Sequence, residues 1–341
     1  MKAKKLQGQY EKSMQELRQV SQMLGVDAML IQGAGGNTSL KINDKMWVKA
    51  SGKLLSRALE EEIFVPIGFS QLCNDIENTN FEITKYVVGV VPNLRPSIEA
   101  PLHAVFKSNA VIHAHAINSL TAMLLQDCKQ HLQSKLSGAF QYIVIDYVAP
   151  GIELARTIKA GLKKHAIDVV DEPIVFMKNH GIVIGANSMR IAYDKLLEIE
   201  ALLEFAPRGL GQNHAEAQTH TELSGYEFLA NWQAIAFDEY CTNSLSQGIF
   251  FPDQAVYLGE KIRVLNSFDN AGQEPLVIIK NVGVFRRKNC DQSTIEIIEA
   301  LLSSCIRLPF GAKINIIEPH EVDFLLNWEA EKYRKSQTNI G

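Results

Sequence analysis

Short β-branched segments alternate with amphipathic helical segments along this chain, and that alternation constrains its fold more than any other feature. Tyr142–Tyr147 has the length and composition of a strand, and the following segment, Ile152–His165, has helical periodicity. Some predicted strands are joined by connections short enough for hairpins, whereas others are joined through a helix. The pattern therefore predicts an α/β fold with a central, mixed and partly antiparallel sheet covered by helices.

The same criteria predict the other elements of the first two hundred residues. We expect helices at Leu6–Leu24, after Pro96, and at Leu120–Leu125 and Met189–Phe205. The helix after Pro96 is predicted to have Ser97 as its N-terminal cap and to include Phe106. The predicted strands are Leu40–Ile42, Met46–Lys49, Ile63–Pro66, Ala110–Ala114, Pro173–Met177 and Ile182–Ile184.

A polar stretch without periodicity divides the chain. We predict a larger domain at residues 1–207, a linker at 208–222 and a smaller α/β domain at 223–341 with a structural or assembly role. Segments beginning at Glu172 and Glu274 share Glu, Pro, Val, Lys, Asn and Gly at matching positions, and Ile-Glu-Ala-Leu-Leu follows in each. The second domain is thus predicted to be a degenerate partial repeat, with Val282 in place of His180, although chance similarity of two apolar strands is the alternative.

Bulk properties exclude several classes of protein. A formal charge of −4 over 341 residues argues against a dedicated nucleic-acid binder. No apolar run approaches the roughly 20 residues that a membrane span requires. The five cysteines are scattered and form no Cys-x-x-Cys pair, which indicates a reduced, cytoplasmic protein rather than a disulfide framework or a thiolate zinc site. Any metal would therefore be held by nitrogen and oxygen.

Three histidines form a candidate metal site. His113 and His115 lie two residues apart in a predicted strand, so their imidazoles point to the same face. His180 precedes Gly181 at a predicted turn, where a side chain can be presented at a sheet end. Three imidazoles with one open position are the ligand set of a catalytic zinc site, although other divalent transition metals also accept them. Glu99, at the start of a predicted helix, is expected to ligate the ion or to act beside it as general acid/base.

Other interpretations of these residues remain open on spacing alone. A His-x-His pair in a strand is often two ordinary histidines, and His180 can be a turn residue whose ring is satisfied by backbone groups. His103 lies four residues after Glu99, on the same helix face, where the two side chains can form a structural hydrogen bond.

A glycine-rich turn at residues 33–36 is a second candidate site. It is not a dinucleotide fingerprint, because Thr38 stands where the third glycine should be and no helix is predicted to follow. One interpretation is an anion cradle of backbone N–H groups, to which Asn37, Thr38, Ser51, Gly52 and Lys53 would add donors. The alternative is a tight turn in which Gly and Asn supply positive φ.

Five motifs along Leu17–Phe205 together resemble the class II aldolase/adducin head family, which includes fuculose-phosphate aldolase, rhamnulose-phosphate aldolase and ribulose-phosphate 4-epimerase. The motifs, in the family's order, are Gly35-Gly36-Asn37-Thr38-Ser39, Lys49-Ala50-Ser51-Gly52, Arg95-Pro96-Ser97-Ile98-Glu99-Ala100-Pro101-Leu102-His103, Val111-Ile112-His113-Ala114-His115-Ala116 and Lys178-Asn179-His180-Gly181. In the C-terminal region, Phe251–Gln254 and Leu326–Tyr333 are similar to the aldolase part of bifunctional rhamnulose-phosphate aldolase/dehydrogenase proteins.

The resemblance implies a three-layer α/β/α fold, a zinc ion on the three histidines and Glu99 as the acid/base group. It also implies a homo-oligomer and a small-molecule sugar or sugar-phosphate substrate. The charge and the absence of a long apolar run predict no nucleic-acid or membrane partner. The family's phosphate pocket corresponds to Gly36, Asn37, Ser51, Gly52 and Ser97. Ile98 departs from the pattern, because fuculose-phosphate aldolases have a second serine there; Lys53 is a candidate for replacing the lost donor.

The reaction implied by the resemblance is cleavage or formation of a C–C bond in a ketose or ketose phosphate through a metal-stabilised enediolate. Sugar epimerases, dehydratases and decarboxylases of the same fold use a similar metal chemistry, so the ligand set does not separate them from aldolases. A non-catalytic, adducin-like module is a further alternative. That alternative predicts missing ligands, whereas the three histidines and Glu99 are all present.

Overall fold

The computed structural model describes residues 2–167, 172–210, 223–268 and 272–338, with side chains from residue 7 onward. In these ranges the helices are α1 (Lys2–Gly25), α2 (Phe69–Asp75), α3 (Ala100–Ala104), α4 (Ile117–Leu124), α5 (Cys128–Leu136), α6 (Ile152–Lys164), α7 (Met189–Leu202), α8 (Glu239–Gln247), α9 (Pro252–Leu258), α10 (Gln292–Arg307), α11 (Pro319–Asn327) and α12 (Glu329–Thr338). Among them we find no helix with the length and apolar character needed to cross a bilayer.

The strands form two separate sheets. Their bounds are β1 (Asn37–Ile42), β2 (Lys45–Lys49), β3 (Phe64–Gly68), β4 (Ala110–Ala114), β5 (Tyr142–Ile145), β6 (Ile174–Met177), β7 (Gly181–Ala186), β8 (Tyr226–Phe228), β9 (Arg263–Leu265), β10 (Leu276–Ile279) and β11 (Gly283–Arg287). The larger sheet has the order β3-β2-β1-β4-β7-β6-β5, and the smaller has the order β8-β11-β10-β9. In the larger sheet β5 pairs with β6 in parallel, and the other neighbours are antiparallel. The predicted mixed sheet is confirmed.

Both faces of the larger sheet are buried, because successive side chains of its central strands enter different cores. Ile112 of β4 and Ile184 of β7 pack with α1, α4 and α7, whereas Val111 and Val183 pack with α6 on the opposite face. Such continuous apolar strands are typical of a sheet with helices on both sides. The expected three-layer α/β/α architecture is thereby confirmed.

The smaller sheet repeats part of the larger one. Its order β8-β11-β10-β9 corresponds to β4-β7-β6-β5, with the same parallel pair at the edge. The hairpin turns also match: Asn179 has φ 56° and Asn281 has φ 59°. Lys178 N donates to Ile145 O at 3.0 Å, and Lys280 N makes the equivalent bond at 2.8 Å. The predicted partial repeat thus has a shared topology and turn geometry, and His180 of one hairpin corresponds to Val282 of the other.

The proposed division into domains stays a prediction. The largest hydrophobic core includes Leu120 and Met123 of α4 together with Ile298 and Leu302 of α10, so the second sheet's helix packs directly on the first unit. The predicted linker begins at residue 208, and its residues 211–222 lie outside the described part of the chain.

Two details of the helix after Pro96 differ from expectation. The helix begins at Ala100, preceded by Glu99 as its N-cap without a side-chain capping bond, and it ends before Phe106. Ser97 lies outside the helix, where its Oγ accepts a hydrogen bond from the Glu99 backbone N–H at 3.2 Å. A serine hydroxyl favours the N-cap, but here residues 97–99 form a turn that places the Glu99 side chain at the sheet end.

Candidate metal centre

Three imidazoles converge where β4 ends and the β6–β7 hairpin turns. His113 is opposite Val183 in the β4–β7 ladder, His115 follows the end of β4, and His180 lies in the hairpin turn. The ring centroids lie 4.9 to 5.3 Å from one another. All three residues are buried, and one nitrogen from each lies within 4.8 Å of the other two. The predicted convergence of these side chains is therefore present.

The spacing of these nitrogens fits a cation. His113 Nε2 and His115 Nε2 are 3.1 Å apart. Two nitrogens that coordinate one tetrahedral zinc at the usual bond length are about 3.3 Å apart. The Nδ1 of His113 lies 3.1 Å from the backbone oxygen of Ile182, which can only accept a hydrogen bond. The ring proton is therefore on Nδ1, and Nε2 keeps an unshared lone pair. The Nε2 atom of His113 is thus available either to accept a hydrogen bond from His115 or to coordinate a cation.

Glu99 completes the cluster from the neighbouring turn. Its Oε1 lies 3.2 Å from His180 Nε2 and 3.5 Å from His113 Nε2. Despite these distances, Oε1 has no well-directed hydrogen-bond donor among the described residues, and Glu99 is only 5% exposed. A buried carboxylate oxygen without a donor is costly. A cation between this oxygen and the imidazoles would satisfy it, so the residues present fit a divalent metal.

Burial governs the protonation of the centre. It lowers the pKa of His113 to about 3, although the Glu99 carboxylate opposes that change. Neutral imidazole is the form that binds a metal. For Glu99, burial works against ionisation, but protons carried by the imidazoles of His113, His180 and His115 lower its pKa well below its usual range.

A hydrogen-bonded chain leads from Glu99 into the sheet. Asn37 Nδ2 donates to Glu99 Oε2 at 2.9 Å, and Asn37 Oδ1 accepts from His103 Nε2. His103 Nδ1 lies 2.9 Å from Ser39 Oγ, which donates to it. The hydrogen bond considered between His103 and Glu99 is therefore replaced by one through Asn37. Asn37 faces His113 across the β1–β4 ladder, and from this position its side chain contacts both Glu99 and His103.

The predicted anion-binding residues lie on three segments, at residues 36–37, 51–53 and 97, and the last two adjoin each other. Ser51 N donates to the oxygen of Arg95 at 2.8 Å, and Ser97 N donates to that of Lys49 at 3.1 Å. Gly36 has φ 57°, and a Cβ there would lie 2.9 Å from the backbone oxygen of His113, so the glycine is needed for close packing.

Three other members of the predicted set already have partners. Asn37 binds Glu99, as described above. Lys53 Nζ forms an ion pair with Glu61 at 2.9 Å near the surface. Gly52, with φ 75°, lies against Gln337 of α12. That this set binds an anion stays a prediction.

A family model described as the class II aldolase and adducin N-terminal domain matches residues 15–206, more than half of the 341 residues. The chain belongs to the class II aldolase and adducin family. The predicted membership is thus confirmed for this part of the chain. The resemblance of the C-terminal region to the bifunctional aldolase/dehydrogenase proteins stays a prediction.

Individual relatives of this class II aldolase family member are distant. The L-fuculose phosphate aldolase of Methanococcus maripaludis is 27% identical over 196 residues, covering 54% of this chain and 92% of that protein. A Bacillus subtilis protein named uncharacterized oxidoreductase YuxG is 26% identical over 206 residues; the match covers 56% of this chain and only 29% of that relative. The N-terminal class II aldolase domain from Thermoplasma acidophilum has a TM-score of 0.47 at 23% identity, covering 55% of this chain and 90% of that one.

Class II aldolases use a divalent metal, and the buried histidine triad of this family member is able to bind one. The structure also places residues at the centre to which the sequence analysis assigned no role. Asp253 Oδ2 lies 3.1 Å from His115 Nδ1, and Arg334 of α12 forms an ion pair with Asp253. Lys49 is buried and donates to the oxygens of Ala34 and Lys53, both at 2.8 Å, which ties the glycine turn to the next loop. Burial lowers the pKa of Lys49 to about 7.

The available sequence signals for these residues were modest. Asp253 and its neighbours carried part of the C-terminal resemblance, and Lys49 begins one of the five motifs. Neither pattern shows that a residue more than a hundred positions after His115 contacts its ring. Arg334 lies just after the second C-terminal segment and carried no signal.

Proposed function

We propose that this protein is a metal-dependent lyase that cleaves or forms a C–C bond in a ketose or ketose phosphate, with Glu99 as the acid/base group. The observation that carries the proposal is the buried convergence of three imidazole nitrogens and one donor-free carboxylate oxygen. Membership of the class II aldolase and adducin family supports it. His113, His115 and His180 would hold the ion, and zinc is the favoured metal for three imidazoles.

A bound divalent cation would act as a Lewis acid, drawing electron density from the sugar carbonyl and an adjacent hydroxyl. The chain's own residues then have separate tasks. Glu99 is fixed on its Oε2 side by Asn37, whereas Oε1 faces the imidazoles. When the C–C bond breaks, the hydroxyl that becomes the aldehyde gives up a proton and the other carbon keeps the electron pair. A proton taken up by Glu99 Oε1 would then pass to that carbon. In the condensation direction the same oxygen removes that proton.

The segments that contain Gly36, Ser51, Gly52 and Ser97 adjoin the centre and are the proposed site for the substrate's anionic or hydroxyl end. Ile98 is half-buried beside Glu99 in sequence and offers no hydroxyl, so a phosphate would depend on the remaining donors. We propose a cytoplasmic location, for which the unpaired cysteines are the support. A homo-oligomer remains part of the proposal.

Metal content tests the first half of the proposal. Purified wild-type protein is expected to carry about one divalent ion per chain, and His113→Ala to lose it, because one of three nitrogen ligands is removed. His320→Ala is the matched control, since His320 is 78% exposed and lies on α11. Wild-type protein that binds no stoichiometric metal after incubation with zinc, cobalt or manganese would overturn the proposal.

Aldehyde release tests the second half. A panel of ketose phosphates and free ketoses is incubated with enzyme, and the aldehyde is measured by a coupled dehydrogenase. Release is expected to stop on chelation and return with zinc, and Glu99→Gln is expected to lose about 10²–10⁴-fold in rate. Substrate conversion without aldehyde would instead indicate an epimerase, dehydratase or decarboxylase, which inversion, loss of water and release of carbon dioxide distinguish.

A further inference from the structure

The C-terminal region reaches the candidate metal centre through one carboxylate. Asp253 lies in the first turn of α9, and its Oδ2 is 3.1 Å from His115 Nδ1. Asp253 is 1% exposed, so its charge is removed from water. A buried carboxylate is retained only where partners compensate its desolvation. The partners of this one are therefore informative about its role.

One partner is a cation from α12. Arg334 forms an ion pair with Asp253 Oδ1, and its Nε lies 3.1 Å from Glu331 Oε2 one turn earlier. The remaining carboxylate oxygen, Oδ2, lies at ion-pair distance, 3.1 Å, from His115 Nδ1, but it has no well-directed hydrogen-bond donor among the described residues. Asp253 is thus held between an arginine of the last helix and an imidazole of the metal centre, and its two oxygens serve different partners.

The glycine turn is shaped around this contact. A Cβ at Gly35 would lie 2.7 Å from Asp253 Oδ2 and 2.8 Å from His115 Nδ1. Such distances are too short for any side chain larger than hydrogen. Gly35 therefore leaves space for the carboxylate and the ring. Its φ is not positive, so this space, and not the backbone conformation, is the reason for a glycine here.

The two nitrogens of His115 have different neighbours. Nδ1 faces Asp253, and Nε2 lies 3.1 Å from His113 Nε2. Because Nδ1 and Nε2 are on opposite sides of the ring, Asp253 is not placed to coordinate the same ion. At 3.1 Å, a small rotation of the ring would direct the Nδ1 proton at Oδ2. A carboxylate that accepts this proton fixes the tautomer, orients the ring and leaves the Nε2 lone pair for a metal.

We propose that Asp253, held by Arg334, is a positioning residue that orients His115 for metal binding. The inference rests on the proposed metal site and adds that the C-terminal region completes that site. The centre then depends on residues 223–338 for its affinity, in addition to any structural or assembly role of that region. His113 receives the equivalent support from a backbone oxygen, that of Ile182, within its own sheet.

Metal affinity of the purified full chain tests the proposal independently of activity. Apo protein is titrated with zinc in competition with a chromophoric chelator, and with cobalt while the visible spectrum is recorded. Asp253→Ala is expected to bind zinc about 10–100-fold more weakly, as for other partners of metal-bound histidines. Asp253→Asn keeps an acceptor oxygen without the charge and is expected to lie between wild type and Asp253→Ala. Its cobalt spectrum should shift, since the His115 ring is oriented less well.

Asp238→Asn is the matched control. Asp238 also pairs with an arginine, the half-buried Arg208, at 3.0 Å, but it caps α8 and forms no hydrogen bond or ion pair with the three histidines among the described residues. This variant should lose thermal stability and keep wild-type zinc affinity. If Asp253→Ala does not fold, Asp253→Asn and Arg334→Gln decide the result.

Two failures are distinguishable. If wild-type protein binds no zinc, the proposed metal function fails. If wild type binds zinc, and the folded Asp253 and Arg334 variants bind it within twofold of wild type with unchanged cobalt spectra, the positioning role alone is overturned.

Discussion

Asn37 is the residue whose replacement tests most directly how Glu99 is held. Its amide nitrogen donates to Glu99 Oε2 at 2.9 Å, so its amide oxygen must face His103 Nε2, which in turn must carry a proton. Asn37→Ala removes both bonds at once, inside a site where Asn37 is 3% exposed and water cannot substitute freely. The Glu99 carboxylate and the His103 N–H would each lose a buried partner.

The magnitude follows from these two losses. A hydrogen bond to a charged group contributes about 1.5–3 kcal/mol, and leaving a buried N–H unpaired costs about 1–3 kcal/mol. Asn37→Ala should therefore lower the free energy of unfolding of the metal-free protein by about 3 kcal/mol or more. Ser39→Ala, at the far end of the hydrogen-bonded chain, leaves only the buried His103 Nδ1 without its partner at 2.9 Å and should cost about 1–3 kcal/mol, less than Asn37→Ala.

Turnover should separate the two variants more clearly than stability does. Asn37→Ala leaves Glu99 chemically intact but free to rotate, and misplacing a reacting group by about 1 Å can cost about 10²-fold in rate. We expect kcat to fall about 10–100-fold in this variant and to stay close to wild type in Ser39→Ala. Urea unfolding and aldehyde release provide the two measurements. Equal losses of kcat in both variants, or an Asn37→Ala protein as stable as wild type, would refute the reasoning.

Two further substitutions probe the centre from other sides. His180→Val introduces the residue that the second hairpin has at this position, Val282. The variant should keep near wild-type thermal stability, and its metal content should fall well below one ion per chain. Full metal content would contradict the assignment of His180 as a ligand. Gly35→Ala places a methyl group 2.7 Å from Asp253 Oδ2 and 2.8 Å from His115 Nδ1, which would push the two groups apart. Competition titration should then show weaker zinc binding. Unchanged zinc affinity would show that the Asp253–His115 contact does not contribute to metal binding.

Fold class and most element positions followed from local sequence patterns. The strand Ala110–Ala114 and the helix Ile152–Lys164 lie where periodicity predicted them to within a residue at each end, because each pattern matches the burial of one element. Helices α2 and α5 were not predicted, and the helix after Pro96 was predicted with the wrong start. There the sequence offered a serine cap, whereas the helix begins at Ala100, with Glu99 as the N-cap residue and Pro101 in the first turn.

The sequence by itself determined which side chains could bind a metal. Two histidines at strand spacing, a third before a glycine turn and a glutamate at a helix start are local features, because strand geometry and turn residues depend on near neighbours. Their convergence required the sheet order that places β7 beside β4. The partners of these ligands were decided by tertiary structure alone.

Asn37 reaches Glu99 because β1 pairs with β4, and Asp253 reaches His115 because a later helix packs on the glycine turn. Hydrogen bonds that cross from one element to another depend on the packing of segments far apart in the chain, and no local pattern encodes that packing. The candidate ligands could therefore be named from the sequence, whereas the groups that hold them in place had to be found in the folded protein.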